Sequence, residues 1–228
     1  MSWNKIWNKK YSKSESYSHI NAGFDFLSIV QWKNLVKIFT DLLVINKDSQ
    51  ILDVGCGEGA FLEQIKQYKS ISGIDLSENA IFKINTKMKG DFKVSEANNL
   101  PFEDNYFDIV ICFSIFHYFE SIAYSKQVIN ELIRVTKPLG QILIGDINDF
   151  DKKELYESIR LKENRNTVHK VKSVRLDHQF YEKSLFLEIA KNNLKTQIID
   201  ESKLDLSFYS NSNYRFSVIY NKLKLKIK

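Results

Sequence analysis

Nine residues constrain this chain more than any others: Ile51-Leu52-Asp53-Val54-Gly55-Cys56-Gly57-Glu58-Gly59. An apolar run of strand length meets three glycines at alternate positions. Glycine has no Cβ, so such a turn reaches backbone angles closed to other residues and lets the chain lie close to a ligand. A strand ending this way belongs in a parallel sheet covered by helices, and the residues from about 50 to 146 supply one. Runs of strand length alternate there with helical patterns, as βαβ units require.

Gln50 to Val54 is the first strand, and Ala60, Phe61, Ile65 and Tyr68 predict a helix after it. Ile71 to Asp75 is the second strand, followed by Ser77 as a helix N-cap with Ile81 and Ile84 inward. Phe92 to Ser95 is a shorter third strand. Tyr106 to Phe113 is almost wholly apolar, as a central parallel strand is. A helix over Ser121 to Val135 turns Val128, Ile129, Leu132 and Val135 to one face. Lys137-Pro138-Leu139-Gly140 reads as a type I turn, and Gln141 to Asp146 is the fifth strand. Beyond it the spacing predicts a helix over Tyr181 to Asn193. Strands are expected at Thr196 to Ile199 and Tyr214 to Tyr220, joined by a polar loop at Ser210 to Asn213. The expected architecture is one α/β domain, a Rossmann-like seven-stranded mostly parallel sheet with helices on both faces and its last strand antiparallel. Within 1–228, residues 1–46 are expected to form a helical lid and 47–147 the binding core. Residues 148–195 form an insertion over the substrate site, and 196–228 the closing strands.

The chain's 228 residues suffice for a core without staples. Its only cysteines, Cys56 and Cys112, sit where small apolar residues belong, which suits a reducing cytoplasm. The first 17 residues lack the apolar stretch of a secretory signal. Ile109 to Phe119 is too short to span a bilayer. A cytoplasmic protein is therefore expected. The net charge of +5 fits a solvated lysine-rich surface, and no nucleic-acid module is evident.

Asp75 closes the second strand, 22 residues after Asp53, where a carboxylate can accept hydrogen bonds from the ribose hydroxyls of an adenosine. Gly55 to Ala60 also satisfies the dinucleotide pattern GxGxxA. However, Asp53 before the turn and Glu58 within it would repel the pyrophosphate that such a site holds. They suit a cationic ligand instead, and S-adenosylmethionine brings an ammonium and a sulfonium.

Several separated segments together resemble the class I S-adenosylmethionine-dependent methyltransferases: Ile51 to Gly59, Gly73 to Ser77, Glu96 to Phe102, Phe107 to Val110 and Arg134 to Gly140. In the third of these, Glu96 stands where Asp is commoner. The resemblance implies S-adenosylmethionine bound by Asp53, Gly55, Cys56, Gly57, Gly59, Asp75, Leu76, Glu96, Ala97 and Asn98, with Phe113 and Tyr11 completing the set. Trp3, Trp7 and Tyr11 share one helical face and read either as a lid or as ordinary packing. His117 and His178 are the candidate catalytic bases, each with a packing or surface reading beside it, and His169 reads as surface. No metal-ligand spacing is seen. The chain also lacks the Pro-Pro and Pro-Cys signatures of base-methylating enzymes, so nucleic acid is disfavoured as acceptor.

The expected acceptor is a small molecule carrying a sugar-like hydroxyl. N- or C-methylation, or a non-catalytic cofactor-binding partner subunit, are the alternatives; the oligomeric state is left open. An anionic acceptor is suggested by Lys152, Lys153, Arg160, Lys162, Arg165, Lys170, Lys172 and Arg175 after the fifth strand. Glu154, Glu157 and Glu163 interleave with them, as on any solvated helix.

Overall fold

A computed structural model describes residues 3–12, 17–162, 169–171, 174–190 and 193–224. The strands are β1 (Gln50–Val54), β2 (Ser70–Asp75), β3 (Asp91–Val94), β4 (Phe107–Phe113), β5 (Thr136–Asn148), β6 (His169–Val171), β7 (Val174–Leu176), β8 (Leu194–Asp200) and β9 (Arg215–Lys222). Seven of them form one sheet in the order β3-β2-β1-β4-β5-β9-β8, and β6 and β7 make a separate hairpin. Pairing is parallel from β3 through to β5, and β9 runs antiparallel to both of its neighbours. The chain order reverses between β1 and β4, so a crevice opens at their carboxyl ends.

The helices are α1 (Trp3–Tyr11), α2 (Ile29–Thr40), α3 (Glu78–Lys87), α4 (Ile122–Val135), α5 (Lys153–Lys162) and α6 (Lys183–Ile189). Serines start three of them. Ser28 forms a capping box with Gln31, Ser77 accepts from the Ala80 amide, and Ser121 accepts from the Tyr124 amide. Alternate strand residues divide the core into two layers. Ile51, Ile71, Ile109, Ile111 and Leu143 pack under α2 and α3, through Leu35, Phe39, Ile81 and Ile84. Leu52, Val54, Val110, Cys112, Ile142 and Ile144 pack on the other face, against Val128, Ile129, Leu132 and Val135 of α4 and Phe186 of α6. Among the described residues no helix is long and apolar enough to cross a membrane.

Four local expectations are corrected. No α-helix follows β1; Leu62–Gln64 is a single 3-10 turn. Gly59 stands at φ +93°, which no right-handed helix admits, and Lys69 must already bond the Ser49 carbonyl to begin β2. Ala60, Phe61, Leu62 and Ile65 are nonetheless buried. The turn at 137–140 is not type I, because Leu139 has φ +68°, the sign that a type II turn requires at that position. These residues bulge out where the β4–β5 register shifts. The α6 helix covers only 183–189 of the expected 181–193, since Tyr181 is taken up by backbone bonds with Asn148 and Phe150. Finally, 210–213 is not a solvated loop. Asn211 and Ser212 are buried in a 3-10 turn and bonded to Tyr209.

Candidate active site

At the carboxyl ends of β1 and β4 lies a cavity of about 1170 Å³. The Gly55 and Cys56 amides both bond the Ile74 carbonyl, at 2.8 and 2.9 Å, which fastens the glycine turn to β2. One Asp75 oxygen accepts from the Gly57 amide at 2.9 Å and the other from the Ser77 amide at 2.8 Å. Two backbone donors thus fix the carboxylate's direction, and each oxygen keeps a lone pair for a ligand hydroxyl. A Cβ on Gly57, at φ +54°, would collide with the Tyr11 hydroxyl. Any other residue there would push the aromatic ring out of the cavity wall.

Asp53 also lines the cavity, buried at the end of β1. Burial, and next the charge of Asp75, push its carboxyl up to about 8. Both effects favour the neutral form of the acid. Burial raises Asp75 as well, against the lowering effect of its backbone donors. The Tyr11 hydroxyl and the Cys56 thiol are likewise raised by burial and by Asp75. On the opposite wall Tyr124 donates to Glu96 at 2.8 Å, and Asn98 donates to Gln127 at 3.0 Å.

Of the residues expected to hold the cofactor, Asp53, Gly55, Cys56, Asp75, Leu76, Glu96, Ala97, Asn98, Phe113 and Tyr11 line this one cavity. Gly57 and Gly59 do not: Gly57 serves through its amide on Asp75, and Gly59 lies against Ile84 and Met88 of α3. Glu58, read from sequence as facing a cationic ligand, points elsewhere. It is buried on Asn21, with Lys83 and Lys87 3.4 and 3.3 Å away.

His178 is in the cavity wall, its Nδ1 2.8 Å from the Tyr156 hydroxyl. His117 lies behind the wall, fully buried, with its ring 4.1 Å from that of Tyr118 and 4.9 Å from that of His178. Burial, then the charge of Arg215, hold it well below its ordinary range and so neutral. Its carbonyl accepts from the Gln179 amide at 2.9 Å, tying the Asp177–Gln179 segment to the end of β4. Trp3 and Trp7 pack against Tyr118, with ring centroids 4.7 and 5.3 Å apart, and line the cavity. The side chains of His169, Arg165, Lys170, Lys172 and Arg175 lie outside the described residues.

Sequence reasoning missed Phe24, Trp32, Phe61 and Ser114, all in the wall. Trp32 gives no signal, since on α2 it reads as a core residue; its indole donates to the Ala60 carbonyl at 3.2 Å. Ser114 has φ +60°, a strained angle for a residue with a side chain, and only the structure reveals it.

Parts of the chain are similar to known proteins. Residues 52–144 match a protein-family model described as a methyltransferase domain. The demethylmenaquinone methyltransferase of Listeria welshimeri is 33% identical over 144 residues, 58% of this chain and 58% of that protein. The tRNA (carboxymethyluridine(34)-5-O)-methyltransferase of Arabidopsis thaliana is 30% identical over 128 residues, 56% of this chain and 30% of that one. Among solved structures, Haemonchus contortus phosphoethanolamine N-methyltransferase 1, in complex with phosphoethanolamine and S-adenosylhomocysteine, superposes with a TM-score of 0.68. It is 12% identical and aligns over 98% of this chain and 49% of its own, a likeness of fold. The chain spans between 30% and 49% of the length of the first three curated relatives it matches.

Proposed function

Because this chain carries a class I S-adenosylmethionine-dependent methyltransferase domain, we propose that it transfers a methyl group from that cofactor to a hydroxyl of a small molecule. When bound, S-adenosylmethionine supplies a methyl carbon already activated by a sulfonium. The residues present fit it. In this reading Asp53 offers a buried carboxyl toward its cationic part, Asp75 has acceptor capacity for ribose hydroxyls, and Glu96, Ala97 and Asn98, which line the same cavity, would meet the adenine. Leu76 and Phe113 add apolar surface, and Tyr11 covers the glycine turn.

The observation that carries the reading is that a single cavity joins Asp53 and Asp75 to His178. Holding two reactants in line supplies much of the acceleration for a displacement of this kind. A hydroxyl acceptor must also lose its proton. His178, in the wall and oriented by Tyr156, is the base in this reading. His117, neutral and behind the wall, positions His178 rather than meeting the acceptor.

Two experiments test the reading. Calorimetry is expected to show S-adenosylhomocysteine binding and no binding of NAD; the reverse would overturn the cofactor assignment. Radiolabelled S-adenosylmethionine, incubated with sugar, nucleotide and phenolic pools, is expected to label a small molecule. Cofactor binding with no label in any pool would favour a non-catalytic partner subunit instead.

A further inference from the structure

Among the described residues, every charged side chain lining the cavity is acidic or a histidine: Asp53, Asp75, Glu96, Glu120, Asp177 and His178. No described lysine or arginine reaches the wall, although the chain carries a net charge of +5. Lys10 lies over the ring of Trp7, 5.1 Å from its centroid, and several other described cations are engaged elsewhere. Lys83 and Lys87 face Glu58, and Arg215 binds Asp146. Arg160 lies over the Tyr156 ring, 5.3 Å from its centroid and behind the wall. Lys152, at the start of the basic segment, is bonded to Asp200 at 2.8 Å.

Part of the cavity wall is aromatic. Trp3, Trp7, Tyr118 and His178 form one contiguous group there, with ring centroids 4.7 to 5.5 Å apart. All three tryptophans of the chain, Trp3, Trp7 and Trp32, line this cavity. A phosphate or carboxylate entering here meets no lysine or arginine among the described lining residues and faces the carboxylates Glu96, Glu120 and Asp177, and an anion buried without a partner binds poorly. A flat uncharged molecule meets ring faces that favour stacking.

We propose that the methyl acceptor is an uncharged molecule with a flat aromatic body, seated against Trp3 and Tyr118, and that the acidic wall turns away its phosphorylated or carboxylated counterparts. The proposal rests on the methyltransferase reading and is the opposite of the anionic acceptor suggested by the basic segment after β5, of which Arg165, Lys170, Lys172 and Arg175 lie outside the described side chains.

The test is calorimetry on the full chain saturated with S-adenosylhomocysteine, using 2-naphthol, 2-naphthyl phosphate, glucose and glucose 6-phosphate as probes. The naphthol is expected to bind, and its phosphate at least about tenfold more weakly. The gap should widen at low salt, where repulsion is least screened. Trp3→Ala is expected to weaken naphthol more than S-adenosylhomocysteine. Phosphate probes binding as tightly as their neutral partners overturn the proposal. So does naphthol binding that Trp3→Ala leaves unchanged, or no binding of naphthol at all. None of these results touches the cofactor assignment. A protein that binds no S-adenosylhomocysteine brings down the methyltransferase reading, and this proposal with it.

Discussion

Asp53 and Asp75 stand at the ends of neighbouring strands, and their surroundings give them different work. Asp75 is fixed by two backbone amides and so points at one place. Losing hydrogen bonds to a charged acceptor costs about 1.5–3 kcal/mol. Asp75→Ala should therefore weaken S-adenosylhomocysteine binding by roughly 10- to 100-fold while the protein stays folded by circular dichroism; an unchanged dissociation constant would remove Asp75 from the ribose. Asp53, pushed up to about 8 by burial and by Asp75, is largely protonated at neutral pH in the free protein. A cationic ligand prefers its ionised form, so binding should release a proton. Affinity should rise up to tenfold per pH unit below about 8 and level off above it. Calorimetry in two buffers of different ionisation enthalpy measures that proton. In Asp53→Asn, binding should be weaker and the pH dependence gone.

At the scale of elements, α1 is held over the site by a side chain that the sequence does not single out. Asn8 accepts from the Ser77 hydroxyl and the Asn79 amide, at 2.8 and 3.1 Å, and the Asn79 side chain donates to the Asn8 carbonyl at 3.0 Å. Helix α1 is thereby joined to the first turn of α3, beside Asp75. Asn8→Ala removes two acceptor contacts, each worth about 1 kcal/mol. It should speed S-adenosylhomocysteine release about tenfold, followed in stopped flow by tryptophan fluorescence, while barely moving the midpoint of thermal unfolding. An unaltered release rate would mean that α1 does not close the site. Helix α4 owes its place to packing instead: Leu132 is fully buried between β-sheet and helix, and Leu132→Ala should cost about 2–5 kcal/mol in urea unfolding.

Across the whole molecule, buried acids with raised values tie stability to pH, Asp53 and Glu201 among them. Asp53 lies at one end of the sheet's crevice, and Glu201 lies under β9, where it accepts from the Asp146 amide and the Ser217 hydroxyl. Burial, and then Asp146, raise Glu201 above the ordinary carboxyl range. A raised folded-state value means that the folded chain binds more protons than the unfolded one, so stability falls as pH climbs. For Asp53 the window runs from about 4, its unfolded range, to about 8. Thermal melts of the ligand-free protein from pH 7 to 9, above the range in which the lowered His117 works in the opposite direction, should show that decline. Glu201→Gln and Asp53→Asn should each flatten it, and a curve rising with pH over this range would contradict both assignments.

The strand-turn pattern from Ile51 to Gly59, the carboxylate at Asp75 and the Ser77 cap were legible because they are local. Each is a matter of which backbone angles or hydrogen bonds a few successive residues admit. The same locality made Val128, Ile129, Leu132 and Val135 readable as one buried face. Tertiary structure decided what depends on distant neighbours. Glu58 looked like a cofactor contact until Asn21, Lys83 and Lys87 were found around it. The helix expected after β1 was withdrawn by the positive φ of Gly59 and by the return of Lys69 to Ser49. Trp3, Trp32, Tyr118 and His178 are scattered along the chain, and only the fold gathers them around one cavity. Periodicity reports which residues are buried, but the sign of charge inside a cavity is set by which remote side chains reach it. That is why the sequence by itself determined the glycine turn and the two strand-end carboxylates, and the folded chain alone determined which distant aromatic and acidic side chains share their cavity.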